Sequence, residues 1–103
     1  MIGLQKKVKN FCEINNISGT PESRLIDTVS ELGEVAKEVL LASNYGKSAL
    51  QKNEKLEMEI GDVIFSIITL SNSLEINMEN ALNKSLEKYN IRLSKGRLGS
   101  KEV

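Results

Sequence analysis

Between Val63 and Leu70 the chain reads Val-Ile-Phe-Ser-Ile-Ile-Thr-Leu, apolar on nearly every side, and two acids, Glu59 and Asp62, stand at its entrance. Taken alone, such a run suits a buried strand as well as a buried helix. The preceding Lys55-Leu56-Glu57-Met58-Glu59-Ile60 is helical in character, and no hairpin or partner strand occurs elsewhere. The run therefore reads as the centre of a helix from roughly Asn53 to Leu74. A helix that is apolar all round must be covered all round. Three other short helices in one chain of 103 residues can hardly do that, which predicts a second subunit packed against it.

The rest of the chain supplies those helices. Leu4, Val8, Phe11 and Cys12 mark a first helix over about Leu4 to Glu13, ended by Asn15-Asn16 and Ser18-Gly19. Thr20 can cap a second, Pro21 suits its first position, and Glu22 suits the positive end of its dipole. Its apolar stripe is Leu25, Val29, Leu32, Ala36, Val39 and Leu40, and Asn44-Tyr45-Gly46 ends it. A polar loop over Lys47 to Lys52 leads to the third helix. Asn77 can cap the fourth, with the stripe Met78, Ala81, Leu82, Leu86, Tyr89 and Leu93. The expectation is an all-α, four-helix fold, one domain over residues 1–103, completed by homo-oligomerisation as a homodimer or homotetramer.

Composition narrows the chemistry. Without histidine, Ser-His-Asp and Cys-His nucleophilic sites, HExxH zinc sites and Glu-x-x-His di-iron bundles are all excluded. One cysteine, Cys12, cannot build a disulfide framework or a four-cysteine zinc site, and it reads as a core thiol. What remains is oxygen ligation, which suits magnesium or manganese. Fourteen basic residues balance fourteen acidic ones, which argues against a nucleic-acid partner. No run approaches the ~20 apolar residues of a membrane span, and Met1 to Lys7 does not resemble a leader, so a cytoplasmic setting with no membrane partner is expected.

Asp27, Glu31, Glu34 and Glu38 follow at steps of four, three and four, in one narrow stripe of the second helix roughly opposite its apolar one. A solvated face is the ordinary explanation of a charge run. Here like charges recur at i+3 and i+4, each pair costing about 0.2–0.5 kcal/mol, where a surface helix would alternate lysine. Glu59 and Asp62 repeat the i, i+3 spacing on the third helix, with Ser66 and Thr69 continuing that face as a polar track. Ionised carboxylates seldom enter apolar surroundings without a partner or a metal. Two such pairs on two helices point to a cation site.

Ser30-Glu31-Leu32-Gly33-Glu34 with Glu59-Ile60-Gly61-Asp62 resembles the ExxE…ExxD signature of the MazG-like nucleotide pyrophosphohydrolases, within the all-α NTP pyrophosphatase group. The likeness continues through Asn44-Tyr45-Gly46, Val63-Ile64-Phe65-Ser66, Ala81-Leu82 and Lys88-Tyr89-Asn90-Ile91-Arg92, over roughly Arg24 to Ser100. It implies Mg²⁺, replaceable by Mn²⁺, bound by Glu31, Glu34, Glu59 and Asp62 as catalytic and metal-binding residues. It also implies hydrolysis between the α and β phosphates of a nucleoside triphosphate. Many members carry a double glutamate at the start of the first motif. Ser30 replaces its first position here, and Glu38, two turns beyond Glu31, is the auxiliary carboxylate placed to compensate.

Lys84, Lys88, Arg92 and Lys95 line one side of the fourth helix and suit either a solvated cationic face or substrate phosphates. Arg92 is the best placed chemically, because its planar fork matches phosphate oxygens. Asn90 is similar to the family's polar residue near the nucleotide, and residues 96–100 are expected to fold over the ligand. The competing function is a non-catalytic helical dimerisation module, in which acidic and basic stripes pair across an interface. A regulatory nucleotide-binding module that has lost turnover is a third reading.

Overall fold

Three of the four helices begin on a side chain that accepts a hydrogen bond from an otherwise unpaired helical N–H. Thr20 Oγ1 accepts from Ser23 N at 3.1 Å, Asn53 Oδ1 from Leu56 N at 2.8 Å, and Asn77 Oδ1 from Asn80 N at 3.1 Å. The structure, a computed structural model, describes residues 3–98 and 101–102. Its helices are α1 (Gly3–Ile14), α2 (Pro21–Ala42), α3 (Glu54–Ser73) and α4 (Met78–Ser94), within a residue or two of the sequence expectation. Gly46, at φ +82°, takes the left-handed conformation expected after α2, and Asn44 and Tyr45 share it at +49° and +58°. Beyond α4, a two-residue pairing joins β1 (Arg97–Leu98) to β2 (Lys101–Glu102), antiparallel. The fold is all-α apart from this turn.

The main packing is α2 against α3, with α1 on a second side of α3. Both neighbours run antiparallel to α3. Gln5 bonds to Asn72 while Phe11 meets Phe65 edge-on at 6.1 Å, and Glu31 lies by Asp62 while Glu38 reaches Lys55. The core centres on α3, where Ile68 is 2% exposed and Ser66, Thr69 and Ser71 are buried with it. Those hydroxyls do not need distant partners. Thr69 Oγ1 donates to Ser66 O at 2.8 Å and Ser71 Oγ to Ile67 O at 2.9 Å. The polar group that ties helices together is Gln5, 1% exposed. Its Nε2 donates to Asn72 Oδ1 at 3.0 Å and to Ile76 O at 2.7 Å, and its Oε1 accepts from Met78 N at 2.9 Å. One α1 side chain thereby fixes the turn from α3 into α4.

The fourth helix does not close a bundle within the chain. It leaves the end of α3 and packs on none of the other three to any comparable extent. Leu82, Leu86, Tyr89 and Leu93 along it are exposed, as are Leu25, Val29, Leu32 and Leu40 along the apolar stripe of α2. The side of α2 turned to α3 is instead the one bearing Arg24, Thr28, Glu31, Val35 and Glu38, all partly or wholly buried. Accessible surface totals 7855 Å², whereas a folded monomer of 11.4 kDa exposes about 5,800 Å². The radius of gyration, 16.7 Å, likewise exceeds the ~13 Å of a globule of this length. This extended shape leaves α3 covered on two sides only, with Ile60 and Ile64 exposed.

Candidate metal centre

Helical spacing puts Glu59 and Asp62 on one face of α3, and the packing of α2 on α3 brings Glu31 to that face. Antiparallel packing then sets them level. One carboxylate oxygen from each of Glu31, Glu59 and Asp62 lies within 4.8 Å of the others. Glu31 and Glu59 are half-buried and Asp62 is exposed, so the cluster sits in a seam with one open side. Loss of hydration, then the negative charges of Asp62, Glu59, Glu34 and Asp27, raise the Glu31 carboxyl above its ordinary value of 4.5. Among the described residues, no cation pairs with any of the three.

The structure brings together three of the four carboxylates expected as ligands. Glu34, one turn along α2, is exposed and stands outside the cluster, although its charge reaches Glu31. Glu38 is occupied otherwise. It is buried and paired to Lys55 Nζ at 3.4 Å, the one ion pair among the described residues. Lys55 went unnoticed in the sequence, yet it had a signal: Lys55, Glu59 and Asp62 share a face at i, i+4, i+7. Of the α4 residues, Arg92 is half-buried while Lys84, Lys88, Asn90 and Lys95 are exposed, with Lys88 Nζ lying 4.9 Å from the Tyr89 ring centre. They stand on a helix that does not pack beside the carboxylates. Of the expected ligand cover over residues 96–100, Gly99 and Ser100 lie outside the described residues.

The polar track on α3 leads somewhere. From Asp62 it runs through Ser66 to Thr69, seven residues and about 10 Å on along the same face. Thr69 lines a cleft of about 520 Å³ between α1, the link to α2 and the end of α3, with Lys9, Arg24, Asn72, Asn77 and the thiol of Cys12 also on its walls. The cleft is concave with a few polar groups on its walls, as small-ligand sites are, and it lies about 10 Å along α3 from Asp62 rather than against the acidic cluster.

The donor set fits a hard divalent cation. Octahedral Mg²⁺ at 2.0–2.1 Å holds its ligand oxygens about 2.9 Å apart when adjacent and about 4.1 Å when opposed. Three oxygens within 4.8 Å need only rotamer adjustment to reach that spacing. Nitrogen or sulfur ligands, which would favour zinc, are absent from the cluster.

Fold and site together define an all-helical protein with an acidic seam shared by two antiparallel helices. The family model for the MazG nucleotide pyrophosphohydrolase domain matches residues 19–96, and the chain belongs to that family. The uncharacterised protein YpjD of Bacillus subtilis, strain 168, is 38% identical over 76 residues, 71% of this chain and 67% of its own. Among solved structures, a Bacillus-conserved MazG protein described as a nucleotide pyrophosphohydrolase is 31% identical, with a TM-score of 0.70 and 84% of each chain covered. The crystal structure of YpjD from Bacillus subtilis is 33% identical, with a TM-score of 0.71, over 86% of this chain and 91% of that one.

Proposed function

We propose that this chain, as one domain over residues 1–103, is a Mg²⁺-dependent nucleoside triphosphate pyrophosphohydrolase, with Mn²⁺ able to substitute. It converts an NTP or dNTP and water to the monophosphate and pyrophosphate, as a cytoplasmic house-cleaning enzyme of the nucleotide pool. The observation that carries this reading is the meeting of Glu31, Glu59 and Asp62 within 4.8 Å, from two helices, in a chain of this family. A triphosphate brings about four negative charges, which repel bare carboxylates, so substrate and acidic seam are compatible only through a cation.

Glu31, Glu59 and Asp62 would hold the ion, with Glu34 from the next turn of α2 as the fourth ligand. When bound, the divalent ion supplies positive charge to the phosphoryl oxygens and makes water a competent nucleophile near neutral pH. In the reaction a water oxygen adds to the α phosphorus, the bond to the α–β bridging oxygen breaks, and pyrophosphate leaves. A carboxylate of this set that is not fully engaged by the ion can accept the water proton. Lys84, Lys88, Arg92 and Lys95 bind phosphate, Asn90 donates to the nucleoside, and the cleft beside Thr69 receives the base and sugar. The assembly is a homodimer or a homotetramer.

Purified protein incubated with a panel of triphosphates and Mg²⁺ should release monophosphate and pyrophosphate, identified by chromatography or phosphorus NMR. Diphosphate with orthophosphate would show a different bond being cut. No turnover on any triphosphate would remove the proposal.

A further inference from the structure

We propose that Lys55, held in place by the buried Glu38, binds the pyrophosphate that leaves the nucleotide. The inference rests on the triphosphate reading above and adds which way the substrate lies along the seam.

Helical register sets three levels on the contact of α2 with α3. On α3, Lys55, Glu59, Asp62, Ser66 and Thr69 follow at steps of four, three, four and three, within an arc of about 80°. On α2, Arg24, Glu31 and Glu38 follow at steps of seven, and the antiparallel packing matches them in reverse. Glu38 meets Lys55, Glu31 meets Glu59 and Asp62, and Arg24 lines the same cleft as Thr69. The carboxylate cluster thus stands between a cleft on one side and a single lysine on the other. Lys55 is one turn, about 6 Å, from Glu59, and Thr69 is about 10 Å from Asp62 in the opposite direction.

Room and charge decide which end of a nucleotide goes where. The cleft encloses about 520 Å³, and its cations Lys9 and Arg24 are matched on its walls by Glu13 and Glu75. It has space for a nucleoside and no surplus of positive charge. Arg24 packs against Gly19, where an added Cβ would stand 3.0 Å from its Nε, and a planar guanidinium held in this way suits the face of a base. At the other end a leaving pyrophosphate needs a cation, and Lys55 is the one basic residue of α3.

The Glu38–Lys55 pair positions the lysine without burying it. The Glu38 side chain is 9% exposed and that of Lys55 68%, at a separation of 3.4 Å. The cost of taking a carboxylate out of water is poorly offset by a partner that keeps most of its hydration. What the pair achieves is to hold a long, flexible side chain beside the seam, with its remaining N–H groups available to a second acceptor.

Product binding tests this without relying on turnover. In titration calorimetry with Mg²⁺, Lys55→Gln is expected to weaken pyrophosphate binding about 10-fold or more, the weight of one charge-assisted hydrogen bond. Nucleoside monophosphate binding should stay within about two-fold of wild type, because the monophosphate does not reach Lys55. Lys55→Arg should recover most of the pyrophosphate loss. Circular dichroism at the titration temperature establishes that the variants are folded. Should Lys55→Gln fail to fold, the wild type itself supplies the answer. Mg²⁺-pyrophosphate should shield the Lys55 amine from reductive methylation, read by mass spectrometry, and leave Lys9 as reactive as before. Pyrophosphate binding unchanged in Lys55→Gln, or both products weakened alike, overturns the inference. So does a failure to shield Lys55, or shielding of Lys9 in its place, which would turn the nucleotide end for end. Any of these results beside a wild type that cleaves triphosphates removes this inference alone. A wild type that takes up neither product and cleaves no triphosphate ends the function on which it rests as well.

Discussion

The Glu38 carboxylate lies 3.4 Å from Nζ of Lys55, and two turns away on the same pair of helices Glu31 faces Glu59 and Asp62 with no cation between them. The antiparallel contact of α2 and α3 thus carries one neutralised level and one that is negative throughout. The first is an ion pair, and among the described residues the second has no cation to balance it.

The Glu38–Lys55 pair leads to a stability prediction. Glu38 is 9% exposed at its side chain while Lys55 is 68% exposed. Lys55→Met would leave a buried carboxylate unpaired, a change that costs about 3–5 kcal/mol in fully buried pairs. Because the lysine keeps most of its hydration, about 1–2 kcal/mol is expected here. Glu38→Gln, which removes the buried charge itself, should cost less. Urea unfolding at neutral pH measures both, and a Glu38→Gln loss larger than that of Lys55→Met would contradict this ordering.

Gln5 supports α4 from the far side of α3. Gln5→Met keeps the volume but removes two donors and the acceptor for Met78 N–H. A loss of about 2–3 kcal/mol is expected, since buried polar groups are left without partners. Hydrogen exchange at the Met78 amide should accelerate beyond what the global change explains. Unchanged exchange there would mean that Gln5 does not anchor the start of α4.

The raised pKa of Glu31 fixes a direction for pH dependence. Between the unfolded value near 4.5 and the higher folded one, the native state binds more protons than the unfolded state. In chelator, this group therefore lowers stability as pH rises through that interval, and the loss persists at neutral pH. Thermal scans in chelator should show Glu31→Gln equal to or more stable than wild type at pH 7, with the difference vanishing near pH 4. Millimolar Mg²⁺ should reverse the order at pH 7, because only the native carboxylate cluster gains from ion binding. A variant that is stabilised by Mg²⁺ as much as the wild type would exclude Glu31 as a ligand.

Much of this was legible in the sequence because helices announce themselves locally. Thr20-Pro21 and Asn77 marked two starts whose caps form as expected, while Asn53, read as the first residue of the third helix, is its cap. The two acidic pairs were legible for the same reason, since i, i+3 spacing fixes a face whatever the tertiary fold. What could not be read was which face of α2 turns inward. An apolar stripe opposite an acidic one implies that the apolar side packs within the chain, but here Leu32 is 58% exposed and Glu38 is buried. Hydrophobic periodicity says that a face is covered, not by which molecule. Gln5 was missed for a related reason. A glutamine among lysines reads as surface, and its three partners come from residues 72–78, about seventy positions away.

The separation of Glu34 from the other three carboxylates distinguishes the ligands by their expected behaviour. Glu31, Glu59 and Asp62 form one group, so Asp62→Asn or Glu59→Gln leaves only two of its oxygens and should abolish measurable Mn²⁺ uptake by the nucleotide-free protein. Glu34 stands outside that group, and Glu34→Gln should weaken nucleotide-free uptake only a few-fold, about 1 kcal/mol or less, through lost long-range attraction. Its larger effect should come when a triphosphate recruits Glu34 to the ion, so turnover at saturating substrate is expected to fall about 100-fold. Calorimetry without nucleotide and steady-state kinetics with it separate the two effects. If Glu34→Gln lost Mn²⁺ uptake as completely as Asp62→Asn, Glu34 would belong to the resting ligand set, and the three-carboxylate description of the metal-free seam would be wrong.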